Sequence, residues 1–353
     1  MIINNQKNLN KFISCFKKKK FICIDTEFER KNTFFSKLSI ISISDGKNYY
    51  VFDVIKNPEF LEKLRIILKR KSLLKIIHGG LQDIEIFNKQ NFSIDPFFDT
   101  QIASGFLGMD RNISYANLVK KFFNKNLDKK FQNHDWFKRP ITKGQLNYLK
   151  NDVIFLYKIY LKQKKNLTKQ KKLNFAKEEF KIFKDKIANN NGLNSKFKKK
   201  LDIEIYKNKN FLELIRIRDN ISKKKDMPKN WILKDEEIIQ LIKKKVNNKQ
   251  VKNKFFSNND WKKFCNLLNK IKKIKVVKVN NDLDLKTFEF FRYLVSKKYS
   301  IDPNLIATKY DLEDFKNSKT ISKWRSKIYY DLVEKIIKGK QKFKIKNFKP
   351  LYQ

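Results

Sequence analysis

Three short segments within residues 21–54 constrain the fold more than any other part of the chain. FICIDTEF, KLSIISISD and NYYVFDV are rich in β-branched and aromatic residues, and the pattern along them has the period of two expected of strands. Asp45-Gly46, between the second and third, supplies the turn signal of a hairpin. A helix is expected next, over about Glu59 to Lys69, with Phe60, Leu64, Ile67 and Leu68 on one face. LLKIIHG reads as a further buried strand, broken by Gly79-Gly80 and followed by a helix from about Leu81. Three antiparallel strands followed by strand–helix units predict an α/β domain with a mixed sheet.

Beyond about Ser114 no further strand is expected. Thr142 is placed to cap a helix running through GQLNYLKNDVIFLYKIYLKQ, with Leu146, Leu149, Val153, Leu156 and Tyr160 at helical spacing. A Lys-rich, partly helical stretch from about Lys162 to Lys200 ends in NNNGLNSKFKKK, the best linker candidate in the chain. Two segments of helical pattern follow, from about Asp202 to Lys278 and from about Asp282 to Lys346, and read as small bundles. A length of 353 residues suits two or three compact domains, and 41% hydrophobic residues suffice to bury their cores.

The formal net charge of +46 comes from 82 Lys+Arg against 36 Asp+Glu and points to a polyanionic partner. Only nine of those cations are Arg, and the chain is saturated with Lys, Asn, Ile and Phe. Part of the charge is therefore the mark of AT-rich coding, and charge supports nucleic acid without establishing it. Cys15, Cys23 and Cys265 are odd in number and unpaired in spacing, which fits reduced thiols better than a disulfide framework or a zinc site. With no apolar run near the ~20 residues needed to span a bilayer and no signal-peptide core, a soluble cytoplasmic protein with no membrane partner is the expectation.

Four acids stand in informative contexts. Asp25 and Glu27 lie two apart in FICIDTEF, so a strand points both carboxylates to one face. Such a pair repels and is costly to bury unless a hard divalent cation neutralises it. Asp83 enters a helix just after a strand and a Gly-Gly turn, and Tyr148 and Asp152, four apart, share a helical face. Taken singly, each has an ordinary explanation: an exposed acidic strand end, an Asp favoured by the helix macrodipole, a surface Asp beside a half-buried Tyr.

Together, Asp-x-Glu on an early strand, Asp at a strand–helix junction and Tyr-x-x-x-Asp on a later helix resemble the DEDD superfamily of 3′→5′ exonucleases. The flanking words are similar to ribonuclease D: DTEFERKNTFFSKLSIISISDG, HGGLQDIEIF, FFDTQIASGFLG and LDKKFQNHDWFKRPITKGQLNYLKNDVIFLYKIY. FLELIRIRDNISKKKDMPKNWILKDEEI, with Arg218, Asp219, Pro228 and a helix opening at Asp235, resembles the helicase-and-RNase-D C-terminal (HRDC) module. NLIATKYDLEDF…WRSKIYYDLVEKII resembles a second one. Asn147 occupies the place where a sister branch of the superfamily carries its His, so the resemblance is to the Tyr branch.

That resemblance implies a ribonuclease H-like α/β exonuclease domain, its mixed sheet flanked by helices, over residues 1–165. A Lys-rich helical linker over 166–201, an HRDC-type helical domain over 202–280 and a second, degenerate one over 281–353 would follow. Asp25, Glu27, Asp83 and Asp152 would hold two divalent ions, Mg²⁺ or Mn²⁺, and Tyr148 would orient the attacking water. His78 and Phe28 would contact substrate, His78 at a phosphate or sugar and Phe28 by stacking on a base, although a satisfied buried His and a core Phe are competing fates. The implied activity is 3′→5′ hydrolysis of RNA, as in trimming tRNA precursors, by a monomer. A DNA-directed 3′→5′ exonuclease and a non-catalytic RNA-binding protein are the alternatives. The first shares the four acids, and the second is at odds with all four and Tyr148 being present.

Overall fold

A computed structural model describes every residue except 189–196, 198–199, 246–250, 252–253, 275–281, 309–310, 312–321, 341–342, 347–348 and 353. The chain forms two compact units, one of Met1–Glu29, Lys37–Asn190 and Leu283–Gln353, the other of Arg30–Ser36 and Asn191–Asp282.

The first unit is built on a six-stranded sheet of order β1-β4-β3-β2-β5-β6. Its strands are β1 (Ile2–Ile3), β2 (Phe21–Glu29), β3 (Lys37–Ser44), β4 (Tyr49–Asp53), β5 (Leu74–Ile77) and β6 (Phe97–Asp99). The expected antiparallel trio β2–β3–β4 is present, with β5 parallel to β2, β6 parallel to β5 and β1 parallel to β4. Gly46, at φ +86°, makes the β3–β4 turn, where Asp45 Oδ1 accepts the backbone N–H groups of Lys47 (3.0 Å) and Asn48 (2.7 Å). The edge strands β1 and β6 have two and three residues, too few for a period of two to announce them in sequence.

Helices cover both faces. On one, α1 (Gln6–Phe16) sets Phe12 against Tyr50 and Phe52. Two further helices, α2 (Phe60–Leu68) and α3 (Leu81–Lys89), connect β4 to β5 and β5 to β6. On the other face, Ile40 of β3 and Val51 of β4 pack with Trp136 and with Leu149 of α6 (Lys143–Ile154). Thr142 caps α6 as expected, in a reciprocal capping box with Gln145. The single helix anticipated through Gln163 is instead two, α6 and α7 (Leu156–Lys169), meeting at Phe155. The break redirects the apolar stripe: Leu149 faces the Trp136 cluster, whereas Ile159 packs with Leu118 and Val119 of α5 (Tyr115–Phe123).

Residues 281–353, expected as a separate bundle, are placed differently: Leu283–Gln353 belong to the same compact unit as the sheet. Buried polar contacts join them to it. The Lys172 ammonium, pushed down to about 8 by burial, donates to the carbonyls of Phe106 (2.9 Å) and Ser300 (3.0 Å). Arg325 forks onto Glu179 at 2.7 and 2.8 Å. A hairpin of Phe343–Lys346 and Lys349–Tyr352 also departs from the strand-free expectation; four residues alternating with Lys carry too weak a pattern to register. Most of the NNNGLNSKFKKK cluster read as a linker lies outside the described residues.

The second unit packs helices Lys209–Lys225, Asp235–Ile242 and Asn258–Lys272 around Phe211, Leu214, Ile238, Leu241, Phe264 and Leu268. Arg218, 2% exposed, pairs with Asp235 at 2.5 Å and Asp219 at 3.1 Å. Arg218→Ala removes the guanidinium from the buried Asp235 carboxylate, and we expect a loss of about 3–5 kcal/mol in urea denaturation. A loss under about 1 kcal/mol would show the pair to be no better than a surface one.

Candidate active site

Strand β2 brings Asp25 and Glu27 to the α6 side of the sheet, opposite Ser42 and Ile40 of β3. Directly opposite residues of an antiparallel ladder share a face, and Ile40 belongs to the cluster beneath α6. One carboxylate oxygen from each of Asp25, Glu27 and Asp152 lies within 4.8 Å of the others. Asp152 comes from the last turn of α6, one turn beyond Tyr148, and the two side chains interact.

Asp83 arrives from the first turn of α3 and is buried, with its Oδ1 accepting the Thr26 hydroxyl at 2.5 Å. Its approach depends on the Gly79-Gly80 turn. Gly79 has φ +60°, and a Cβ on Gly80 would meet Ile77 Cδ1 at 2.3 Å. Asp99, fully buried at the end of β6, accepts the N–H groups of Gly79 (3.1 Å) and Gly80 (3.0 Å) and caps α4 (Thr100–Phe106) through Gln101 N (2.8 Å). Asp99 and Thr26 were not singled out in sequence. An Asp-Thr-Gln start to a helix is the one local hint of the former.

Burial raises the pKa of all four acids. For Asp25 the neighbouring Asp152, Asp83 and Glu27 add to it, and its pKa stands well above the ordinary range. Burial, then Asp152 and Asp83, push Glu27 up to about 9. Asp83 is pushed to about 6, its Thr26 hydrogen bond opposing the rise, and Asp152 to about 7, opposed by Tyr148. The Tyr148 phenol is itself pushed up, by burial and then by Asp152, Glu27 and Asp25, so it is neutral at pH 7.

A cation fits this arrangement. In a chain with 82 Lys+Arg, none of the four acids makes an ion pair among the described residues. Hard oxygen donors crowded on one another without a counter-charge are the donor set of a divalent cation. Ser42 Oγ, buried opposite Asp25, is a further polar atom with no protein partner.

The two residues expected at the substrate also make contacts within the fold. His78 Nε2 lies 3.1 Å from the Ile113 carbonyl, which only an N–H can satisfy, and Nδ1 lies 2.9 Å from Thr100 Oγ1, whose hydroxyl also reaches the Ile77 carbonyl at 3.0 Å. Both ring nitrogens are engaged within the fold, and burial lowers the pKa and keeps the ring neutral. Phe28 follows a register shift in β2–β3 and is half-buried against the main core. Tyr115, half-buried beside the site, donates to the Asn151 carbonyl at 3.0 Å.

Comparison with known proteins agrees with this geometry. The family described as 3′-5′ exonuclease matches residues 1–168. A ribonuclease D of Bartonella henselae is 28% identical over 99% of this chain and 92% of its own length. One of a Shewanella species is 32% identical over 50% of this chain and 46% of its own length. The crystal structure of Escherichia coli RNase D superposes with a TM-score of 0.75 at 18% identity, covering 96% of this chain and 98% of that one. The catalytic core of RRP6 from Trypanosoma brucei shares the fold at a TM-score of 0.51 and 20% identity, over 76% of this chain and 79% of its own. Over a six-stranded mixed sheet the chain presents three clustered acids, a fourth beside them and a Tyr one turn before the last; its residues 1–168 match the 3′-5′ exonuclease family, and along its length it is similar to proteins named ribonuclease D.

Proposed function

We propose that the chain hydrolyses RNA from its 3′ end, one nucleotide at a time, releasing nucleoside 5′-monophosphates. The observation that carries this reading is the group of four acids without a counter-cation among the described residues, with Tyr148 one helical turn before Asp152. We assign Asp25, Glu27, Asp83 and Asp152 to two divalent cations, Mg²⁺ or Mn²⁺. Bound there, such ions would lower the pKa of a water and neutralise charge gathering on the phosphoryl group. Tyr148, a neutral phenol one helical turn before Asp152, orients the attacking water and is not a general base. Phe28 directly follows Glu27 in the sequence, and stacking on the terminal base is its assigned role.

RNA is favoured as substrate by relatives named ribonuclease D and by a structural neighbour described as an exoribonuclease involved in structured RNA processing. The 3′ ends of tRNA precursors are the substrate we assign. The basic HRDC-like helical segments hold the body of the RNA through its phosphates. We assign a cytoplasmic monomer; Cys15, Cys23 and Cys265 form no disulfide among the described residues, and no helix among them is long and apolar enough to cross a membrane.

A DNA-directed exonuclease would use the same acids, so the substrate needs its own test. A 5′-labelled tRNA precursor with a short 3′ trailer is digested against single-stranded DNA of equal length, over a range of salt. RNA should be preferred by at least about tenfold, with affinity falling roughly 10³-fold between 50 and 200 mM salt if about six phosphates are contacted. Equal or faster loss of the DNA would move the protein to the DNA-directed reading.

A further inference from the structure

Arg139 is not among the acids or their ligating partners, yet it spends every donor it has at one point of the fold. Its Nε and Nη2 fork onto Asp53 at 2.7 and 2.8 Å. Nη2 also reaches Ser39 Oγ at 3.1 Å, and Nη1 donates to the carbonyls of Trp136 (2.6 Å) and Lys138 (3.0 Å). All five guanidinium N–H groups are therefore satisfied. Ser39 lies at the register shift of β3, where Glu27 faces Ile40 but Phe28 faces Leu38, and its hydroxyl also donates to the Trp136 carbonyl. One side chain thus ties the end of β4, the irregular step opposite Glu27 and the backbone of Trp136.

The Trp136 indole is 3% exposed, and its Nε1–H has no hydrogen-bond partner. No polar contact of its own fixes the ring, so its placement follows from packing and from its backbone, which Arg139 and Ser39 hold. That ring lies against Tyr148, centroids 5.8 Å apart at 36°, and Phe131 also packs against the phenol ring, at 6.1 Å and 67°. Tyr148 has only two side-chain torsions, and these rings decide where its hydroxyl stands relative to Asp152.

We propose that Arg139, locked by Asp53, is a positioning residue for Tyr148, acting through the backbone and indole of Trp136. This rests on the reading of Tyr148 as the group that orients water, and it adds a device outside the acid cluster that sets the phenol's position. Lys at this place keeps the charge opposite Asp53 but lacks the fork that reaches Ser39 and the Trp136 carbonyl together.

The test is a double-mutant cycle on the full chain with a 3′-extended RNA, using wild type, Arg139→Lys, Tyr148→Phe and the double variant. Arg139→Lys should lower kcat about tenfold with KM unchanged, the scale of a small misplacement in the site, and cost no more than about twofold in the Tyr148→Phe background. The same loss in both backgrounds, or wild-type kcat in Arg139→Lys, overturns the proposal. Trp136→Leu, which leaves the guanidinium clamp in place, should reproduce the loss and its dependence on Tyr148, and serves if Arg139→Lys does not fold. A second readout does not need activity: in protein labelled with 3-fluorotyrosine, the ¹⁹F resonance missing from Tyr148→Phe should shift or broaden in Arg139→Lys. An unmoved resonance refutes the positioning role, whereas an inactive wild type with a moved resonance refutes the catalytic reading and not the clamp.

Discussion

Replacing Asp152 by Asn should lower 3′ hydrolysis by about 10³-fold or more, the scale of removing one preorganised charge from an active site, while making the cation-free protein more resistant to heat. The two effects have one cause. Asp152 raises the pKa of Asp25 and Glu27, and it is itself held up to about 7 by burial. Asn keeps the shape and an oxygen for Tyr148 but removes a charge that the fold pays for. A residue that matters only for folding would show the opposite pairing, with activity and melting temperature falling together. The check is initial rates on RNA beside thermal unfolding in EDTA, and a variant both active and less stable would contradict the assignment.

The second large effect is on the stability of the cation-free protein as a function of pH. Asp83 at about 6, Asp152 at about 7 and Glu27 at about 9 all stand above their unfolded values of 3.8, 3.8 and 4.5. Between about pH 4 and 9 the folded state therefore binds more protons than the unfolded one, and stability falls as pH rises. Below about pH 4 the groups are protonated in both states and the penalty vanishes. The loss is on the order of a few kcal/mol, and each kcal/mol moves the melting temperature by about 2–4 °C in a domain of this size. Lys75 and Lys172, both lowered to about 8 by burial, push the other way near the top of the range. The difference between wild type and Asp152→Asn isolates the acids from them.

Divalent cation should reverse the trend, because it competes with protons for the same oxygens. At 100 times its dissociation constant it adds about 2.7 kcal/mol, and the gain should grow from pH 5 to pH 8. A melting temperature that ignores Mg²⁺ and Mn²⁺ across that range, or a wild-type protein that gains stability towards pH 8 in EDTA relative to Asp152→Asn, would be incompatible with the electrostatics described here.

The parts of this site that sequence revealed are those whose chemistry is written within a few residues. Asp25 and Glu27 are two apart on a strand, and Tyr148 and Asp152 four apart on a helix, so local periodicity alone puts each pair on one face. The hairpin at Asp45-Gly46 and the cap at Thr142 were legible for the same reason. What stayed hidden is made of contacts between distant residues. Thr26 meets Asp83 across 57 positions, Ser39 meets Trp136 across 97, and Arg139 meets Asp53 across 86. No window of sequence contains both ends of such a bond, although FFDTQ and WFKRP mark where one end lies.

His78 shows the limit from the other side. A His ahead of a Gly-Gly turn reads equally as a ligand or as a satisfied core residue, and only Thr100 and Ile113 at its two nitrogens separate the possibilities. The placement of Leu283–Gln353 beside the sheet was hidden for a similar reason. It depends on Glu179 meeting Arg325 across 146 positions, while the helical pattern of the segment says nothing about what it packs on.

The most direct measurement is the identity of the first product from RNA labelled at its 3′-terminal nucleotide, with Mg²⁺ or Mn²⁺ and with EDTA. A labelled nucleoside 5′-monophosphate appearing before any shorter internal fragment, and only with the cation, is the predicted result. Labelled oligonucleotides as the first product, or release unaffected by EDTA, would contradict a cation-dependent 3′→5′ exonuclease built on Asp25, Glu27, Asp83 and Asp152.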